Sequence, residues 1–337
     1  MWRPKGSGEA GQRPLTVDRM PSFRPPENKP PRLTGIANLF RAMRNLGLVG
    51  GGPVGHDRLE HFDADDGQSI PVRVSGHGSP IVLVHGLGCS HYHWMPVAKR
   101  LARAHRVYSW DARGHGQSRP LAKVPITLKR LARDLRQLLD HFELERAVLV
   151  GHSMGALTVM QYLQDHGTAR VAGVSLIDQS PRIVTDDEWR LGLFGGCSAA
   201  MLQGLIAGAR KDLAETVLHE IEAKAGDWLR ARLAADATLG ALLRRWLHRI
   251  DATSLLDLAE SLAAADFRAS LPRLDAPLMV VLGQRSPHYA GVPLDDWYRR
   301  AVPHATVMVY ERGGHSPHYS EPARFASELM QFIAEHA

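Results

Sequence analysis

Residues 148–156 read VLVGHSMGA, in which a short apolar run leads into the pattern G-x-S-x-G and then into small residues. The apolar run is typical of a buried strand, and the small residues after it suit the first turn of a helix. A serine between such a strand and helix lies on a sharp turn that projects its hydroxyl group, while the flanking glycines let neighbouring backbone pass close by. The pattern therefore predicts that Ser153 is a nucleophile and that the protein is a hydrolase.

Working outward from this stretch, short apolar runs alternate with helical patterns. The clearest helices are expected at Thr127–Phe142, whose leucines share one face, and at Pro322–Glu335. A hairpin is expected from His56–Phe62 and Ile70–Val74, on either side of an Asp- and Gly-rich turn. Buried strands of a parallel sheet are expected at Ile81–His85, Arg106–Trp110, Ala147–Gly151, Val171–Asp178, Leu278–Gly283 and Thr306–Tyr310. The alternation predicts an α/β fold with a mostly parallel central sheet flanked by helices.

Composition divides the chain into four parts. Residues 1–33 are basic and rich in Pro and Gly, so we expect a disordered tail; residues 34–55 read as a short helix and a Gly-rich linker. Residues 56–183 and 267–337 form the predicted α/β core. Residues 184–266 are helical in pattern and lack convincing strands, so they are predicted to form a helical cap inserted after the sixth strand. Such an insertion lies over the carboxyl edge of the sheet, where ligands bind in open α/β sheets.

The charge distribution argues against a nucleic-acid partner. The net charge is +6, but residues 1–32 hold seven Lys/Arg against three Asp/Glu, and the rest holds 34 against 32. No nucleic-acid-binding motif accompanies the basic tail. No apolar run approaches the 18 or so residues of a membrane-spanning helix, so no stable membrane insertion is predicted. Two cysteines and no secretory signal favour free thiols and a cytoplasmic protein.

A serine nucleophile needs a base, and His315 is the best candidate among the 18 histidines. It lies in the glycine-rich segment 311–317, between the last predicted strand and the C-terminal helix. A histidine on such a loop at a strand end can reach a nucleophile at another strand end.

The chain resembles α/β-hydrolase-fold enzymes, in the branch of serine esterases and cofactor-free haloperoxidase-like hydrolases. The resemblance rests on HGLG at 85–88, DARGHGQS at 111–118, GHSMG at 151–155 and GHSP at 314–317, in the order of that family. The resemblance covers residues 56–337 and leaves only the N-terminal tail outside it. The resemblance implies an oxyanion hole formed by the backbone N–H groups of Leu87 and Met154, and it implies no cofactor. It makes 111–118 a structural turn beside the site.

The acid of the triad departs from the commonest family pattern. Many relatives carry an Asp after the penultimate strand in a G-x-x-D context, but the segment 283–287 reads GQRSP and places Ser286 there. A serine cannot supply an anionic partner for the imidazolium, so the acid must come from elsewhere. Asp178, which ends the predicted sixth strand, is the preferred substitute; Asp266 and Asp295 remain alternatives.

Candidate substrate-binding residues are Trp94, His152, Trp189 and Phe194, although core packing explains the tryptophans and the phenylalanine as well. His91 and His93 have the spacing of two metal ligands, but no further ligand lies near them in the sequence, and no metal is predicted.

Together these observations predict a serine hydrolase that cleaves a carboxylic ester, thioester or lactone of a small hydrophobic substrate through an acyl-enzyme. Two alternatives stay open: a catalytically idle scaffold that binds a ligand or partner, and an amide or C–C bond hydrolase that uses the same triad. The natural substrate and the oligomeric state are left open.

Overall fold

The sheet that positions the site has eight strands in the order β1-β2-β4-β3-β5-β6-β7-β8. The computed structural model describes residues 57–118, 125–213, 215, 216, 241 and 252–337. The predicted tail at 1–33, the segment 34–55 and most of 214–251 lie outside the described residues. The strands are β1 Arg58–Asp63, β2 Ser69–Ser75, β3 Pro80–Val84, β4 Arg106–Trp110, β5 Ala147–His152, β6 Val171–Ile177, β7 Leu278–Gly283 and β8 Thr306–Tyr310.

Strand direction follows the sequence pattern. The predicted hairpin is confirmed, since β1 pairs antiparallel with β2, and β2 pairs antiparallel with β4. All other neighbouring pairs, from β4 to β8, are parallel. The six parallel strands therefore end at one common edge, and the predicted mostly parallel α/β fold is confirmed.

The helices form where apolar residues recur at helical spacing. The predicted helix at Thr127–Phe142 is observed as Leu128–His141, and Thr127 Oγ1 caps it by accepting the N–H of Arg130 at 3.2 Å. The helices are α1 Met95–Leu101, α2 Leu128–His141, α3 Met154–His166, α4 Ala199–Lys211, α5 Ala252–Ala263, α6 Leu294–Ala301, α7 Pro317–Ser320 and α8 Pro322–His336. None of the helices in the described part of the chain combines the length and apolar character needed to cross a membrane.

Both faces of the sheet are buried, each in its own apolar cluster. Val82 and Val84 of β3 pack into the cluster that contains α2 and α3, whereas Ile81 and Leu83 pack into the cluster that contains α1 and α8. The two-residue alternation of a strand sends neighbouring side chains to opposite faces. Full burial of each such aliphatic side chain contributes about 1.5–3 kcal/mol, so both helical layers are held against the sheet.

Between β6 and β7 the described residues contain α4 and α5 and no strand of the sheet. The two helices pack on each other through a small cluster of Ile206, Ala209 and Leu256. Arg210 of α4 also pairs with Asp257 of α5 at 2.8 Å. The end of the sixth strand is thus followed by helical structure before the chain returns to the sheet.

Candidate active site

Ser153 lies on the turn between β5 and α3, in a backbone conformation that L-residues rarely adopt, with φ 53° and ψ −120°. Such a conformation costs on the order of 1–3 kcal/mol and persists only where the surroundings impose it. A Cβ on Gly151 would stand 2.5 Å from the Gly155 carbonyl oxygen, and one on Gly155 would overlap the Val84 carbonyl. Glycine at both positions therefore lets strand, turn and helix pass closely enough to make this sharp turn.

Backbone hydrogen bonds line up the ends of three neighbouring strands. The N–H of Ser153 donates to the Ile177 carbonyl at 3.1 Å, and the N–H of Asp178 donates to the Val281 carbonyl at 2.8 Å. Ser153 follows β5 and Asp178 follows β6, so both side chains start from the same edge of the sheet.

Asp178 and His315 are joined directly. His315 Nδ1 donates to Asp178 Oδ2 at 2.6 Å, with the carboxylate fully buried and the imidazole side chain 22% exposed. Asp178 also has a positive φ of 47°, which turns the chain sharply as it leaves β6. An imidazole that donates through Nδ1 to a buried carboxylate has the orientation of a triad base.

The two alternative acids occupy other places. Asp266 pairs with Arg268 at 2.7 Å, and Asp295 lies in the first turn of α6. Among the described residues, neither is hydrogen-bonded to His315. The geometry favours Asp178 as the partner of His315.

Ser286 is a site residue whose role the sequence reasoning missed. Its hydroxyl donates to Asp178 Oδ2 at 2.6 Å, and the N–H of Gly283 donates to Oδ1 at 2.9 Å. Ser286 Oγ in turn accepts the N–H of His288 at 3.2 Å. The signal was present, because Ser286 stands where many relatives carry the acid. The structure brings that position within hydrogen-bond distance of Asp178.

His152, which directly precedes Ser153, holds the loop of His315. Its Nε2 lies 2.7 Å from the His315 carbonyl oxygen, and because a carbonyl only accepts, this nitrogen carries the proton. The two imidazole rings are 4.7 Å apart, and the ring of His288 lies 4.2 Å from that of His315 on edge. The candidate base is thereby tied to the strand end that carries Ser153.

The N–H groups of Leu87 and Met154, the two predicted oxyanion-hole donors, lie on turns that leave them free to donate to a substrate. Met154 is the first residue of α3, and Leu87 lies in a turn closed by the Cys89 N–H on the Gly86 carbonyl at 3.1 Å. Neither the Leu87 nor the Met154 N–H has an acceptor among the described residues. An unpaired N–H at a helix N-terminus favours negative charge through the helix dipole.

The four candidate substrate-binding residues separate by exposure. Trp94 and His152 are buried; Trp94 packs in the apolar cluster that contains α1 and α8, and His152 holds the His315 loop. Trp189 is also buried, where its indole N–H donates to the Arg182 carbonyl at 2.9 Å. Phe194 alone among the four is exposed, and its ring lies 5.6 Å from that of His288. Of the four, Phe194 therefore has the most side-chain surface open to a substrate, and the substrate-binding roles of all four stay predictions.

Cys89 and Asp111 lie near the site, and their environments indicate structural roles. Burial raises the pKa of the Cys89 thiol to about 12, so it is not a thiolate at neutral pH. Asp111, in the turn beside the site, is buried and accepts the ring Nδ1–H of His91 at 2.8 Å and the Gln117 N–H at 2.9 Å. Its hydrogen bonds hold the turn in place.

Comparison with known proteins agrees with this fold. Pimeloyl-[acyl-carrier protein] methyl ester esterase of Aliivibrio salmonicida is 26% identical over 268 residues, which is 79% of this chain and 96% of the relative. The 3-oxoadipate enol-lactonase 1 of Acinetobacter baylyi is 27% identical over 223 residues, which is 66% of this chain and 77% of the relative. The crystal structure of a bromoperoxidase from Bacillus anthracis superposes with a TM-score of 0.69 at 22% identity, covering 82% of this chain and 100% of that one. The family model described as "Alpha/beta hydrolase family" matches residues 81–328. The chain belongs to the alpha/beta hydrolase family.

Proposed function

We propose that the protein is a serine hydrolase that cleaves a carboxylic ester, including a thioester or lactone, of a small hydrophobic substrate. The observation that carries the proposal is the 2.6 Å hydrogen bond from His315 Nδ1 to Asp178, at the sheet edge that also carries the strained Ser153. A base oriented by a buried carboxylate beside a projecting hydroxyl is the arrangement that activates serine as a nucleophile.

In the first half of the reaction, His315 Nε2 takes the proton of the Ser153 hydroxyl as its oxygen attacks the carbonyl carbon of the substrate. Asp178 keeps the proton of His315 on Nδ1 and stabilises the imidazolium that forms. The tetrahedral oxyanion is stabilised by the N–H groups of Leu87 and Met154. His315 then protonates the leaving alcohol, and the acyl group remains on Ser153.

In the second half, His315 takes a proton from water, which attacks the acyl-enzyme. The same two amides stabilise the second oxyanion. It collapses as His315 returns the proton to the Ser153 oxygen, which releases the acid and restores the free serine. Because each amide acts only when negative charge develops on the substrate oxygen, both accelerate the chemical steps rather than tighten ground-state binding.

An apolar substrate is supported by exposed hydrophobic side chains on the proposed oxyanion turn and on the insertion between β6 and β7. Four large hydrophobic residues are exposed in the described part of the chain: Leu59, Leu87, Phe194 and Met201. Leu87 belongs to the proposed oxyanion loop, and Phe194 and Met201 belong to the insertion between β6 and β7. We assign that insertion, residues 184–266, as a cap whose apolar side chains bind the substrate. The two relatives named above, an ester hydrolase and a lactonase by their names, support the same class of bond.

The proposal is tested with a fluorophosphonate probe, which labels activated serines. The full-length protein should be labelled, and Ser153→Ala should remove labelling while leaving the circular dichroism spectrum unchanged. Ser79→Ala, an exposed serine whose hydroxyl hydrogen-bonds His105, is the matched control and should label normally. Undiminished labelling of Ser153→Ala would move the nucleophile elsewhere, and an unlabelled wild-type protein would favour an idle scaffold.

The substrate class is tested with p-nitrophenyl esters of increasing acyl length, alongside matched p-nitroanilides. We expect kcat/KM to rise with chain length until the apolar site is filled and to be far lower for the amides. Phe194→Ala should reduce the gain from the longer chains. Preference for the anilides would instead assign the triad to amide hydrolysis.

A further inference from the structure

Three buried histidines from distant parts of the chain meet beneath the proposed active site. His93 lies in the turn before α1, His152 ends β5, and His318 lies in α7, which follows His315. Their ring centroids are 4.7–5.1 Å apart, and each residue is at most 5% exposed. The proposed catalytic roles use none of these rings as acid, base or nucleophile.

The rings carry polar atoms that need a partner. Nδ1 of His93, Nδ1 of His152 and both ring nitrogens of His318 are buried without a hydrogen-bond partner among the described residues. Each buried polar atom left without a partner costs about 1–3 kcal/mol. Four such atoms in one place indicate that a further group satisfies them.

The histidines are in the state that binds metals. All three rings are buried, and burial disfavours the charged imidazolium, which leaves the neutral form that binds metals. A neutral imidazole has one nitrogen with a free lone pair. In His152 that nitrogen is Nδ1, because Nε2–H donates to the His315 carbonyl. Histidines that bind metals characteristically donate their other N–H to a carbonyl in this way.

The spacing is close to that of a metal site. One ring nitrogen from each histidine lies within 4.8 Å of the others, so a common centre exists no more than about 2.8 Å (4.8 Å divided by √3) from each. Zinc–imidazole bonds are about 2.0–2.1 Å long. Each nitrogen therefore has to move inward by less than roughly 1 Å, which small side-chain rotations supply.

We propose that His93, His152 and His318 bind one divalent transition-metal ion, with Zn²⁺ the best fit to three neutral imidazoles. Imidazole ligands select zinc, copper, nickel or iron over the oxygen-preferring magnesium and calcium. The ion joins the segment after the Leu87 turn, the strand end before Ser153 and the helix after His315. It therefore acts as a structural clamp under the triad, with the Ser153 hydroxyl outside its ligand set. Sequence spacing did not predict this site, because its ligands are 59 and 166 residues apart and meet only in the folded chain.

The test uses full-length protein without a histidine tag, stripped with a chelator and dialysed. Titration with Zn²⁺ in a calorimeter should show one ion per chain, and Co²⁺ should give visible d–d absorption. His93→Ala and His318→Ala should each weaken Zn²⁺ binding at least tenfold. His304→Ala, an exposed histidine, is the matched control and should bind like the wild type.

Two further variants separate the clamp from the triad. Ser153→Ala and His315→Ala should retain Zn²⁺ binding although both abolish the proposed hydrolysis. If His315→Ala removes binding instead, the ion belongs to the triad and the proposal is overturned. The proposal is also overturned if the wild type binds no stoichiometric Zn²⁺, or if every cluster variant binds it as the wild type does. Buried water or hydrogen bonds between the rings would then satisfy these nitrogens.

If the cluster variants do not fold, X-ray absorption of the zinc-loaded wild-type protein decides. Three imidazole nitrogens at about 2.0–2.1 Å would support the site, whereas oxygen-dominated coordination would overturn it. The zinc-loaded protein should also unfold at a temperature several degrees higher than the stripped protein, because an ion that binds only the native state stabilises it.

Discussion

Ser286 donates a 2.6 Å hydrogen bond to Asp178 Oδ2, the same oxygen that accepts His315 Nδ1. Both residues are fully buried, and each follows a different strand of the sheet. Position 286, after β7, thus hydrogen-bonds the carboxylate, although the residue that carries the carboxylate follows β6. A buried anion that accepts several hydrogen bonds is fixed in direction, and this fixes the ring it holds.

Ser286→Ala should lower kcat for p-nitrophenyl ester hydrolysis by about 10–100-fold with little change in KM. A hydrogen bond to a charged group contributes about 1.5–3 kcal/mol, and its loss leaves Asp178 less firmly oriented. Steady-state kinetics measure the effect, with Ser79→Ala as the control. Wild-type kcat in Ser286→Ala would show that Gly283 and His315 hold the carboxylate without it.

Asp178→Asn should lower kcat by about 10⁴-fold, because an amide neither holds the right tautomer of His315 nor stabilises its charged form. Asp266→Asn and Asp295→Asn are the matched controls and should stay within a few-fold of the wild type. A larger loss in either control than in Asp178→Asn would transfer the acid to that residue.

The double substitution Asp178→Asn with Ser286→Asp should recover activity at least tenfold over Asp178→Asn alone. The Ser286 hydroxyl already lies 2.6 Å from the Asp178 carboxylate, so a carboxylate at 286 starts close to the His315 ring. Kinetics of the single and double variants form the comparison. No recovery in a folded double variant would mean that the loop after β7 aims a carboxylate away from His315.

The free energy of unfolding should decrease as the pH falls from 6.5 towards 4. Burial and neighbouring charges lower the pKa of His85 from 6.5 to about 3, and its ring is fixed as neutral because Nδ1 donates to the Gly86 carbonyl while Nε2 accepts the Ala112 N–H. The unfolded chain therefore binds a proton at a higher pH than the folded chain does. The contribution of His85 to the free energy of unfolding is fully present above pH 6.5. It decreases by about 1.4 kcal/mol per pH unit below that value.

Urea denaturation at pH 7, 6, 5 and 4 measures this dependence. His85→Gln should unfold more easily at pH 7 and should show a shallower dependence between pH 6.5 and 5, where carboxylates remain ionised. An unchanged slope in this variant would assign the acid sensitivity to other groups.

Gly155→Ala should destabilise the protein by more than about 2 kcal/mol, because the new methyl group would overlap the Val84 carbonyl and push α3 off the sheet. Gly204→Ala in α4 is the matched control, since a Cβ there meets open space. It should be neutral or stabilising by up to about 1 kcal/mol, as alanine favours helix over glycine. Thermal unfolding measures both, and equal melting temperatures would contradict the packing at the nucleophile turn.

The fold could be predicted from the sequence because its information is local. Six predicted strands agree with the observed bounds to within one residue. Runs such as 278–283 are buried on both faces of the sheet, so they are continuously apolar and show no helical spacing of polar residues. The helix at Leu128–His141 was marked by its apolar face and its Thr127 cap. The GHSMG pattern predicted the turn at Ser153, because only glycine permits the close backbone contacts on either side of it.

What the sequence by itself determined is the alternation of elements and, through ordered motifs, the kind of fold and the expected chemistry. Only the tertiary structure decided which side chains contact each other. It placed Asp178 and Ser286 on one side of His315, buried Trp94 and Trp189, and gathered His93, His152 and His318 into one cluster. The physical reason is distance along the chain: periodicity reports the face of an element, whereas these contacts depend on sheet order, register and loop path. Those quantities are fixed by packing between segments that lie a hundred residues apart.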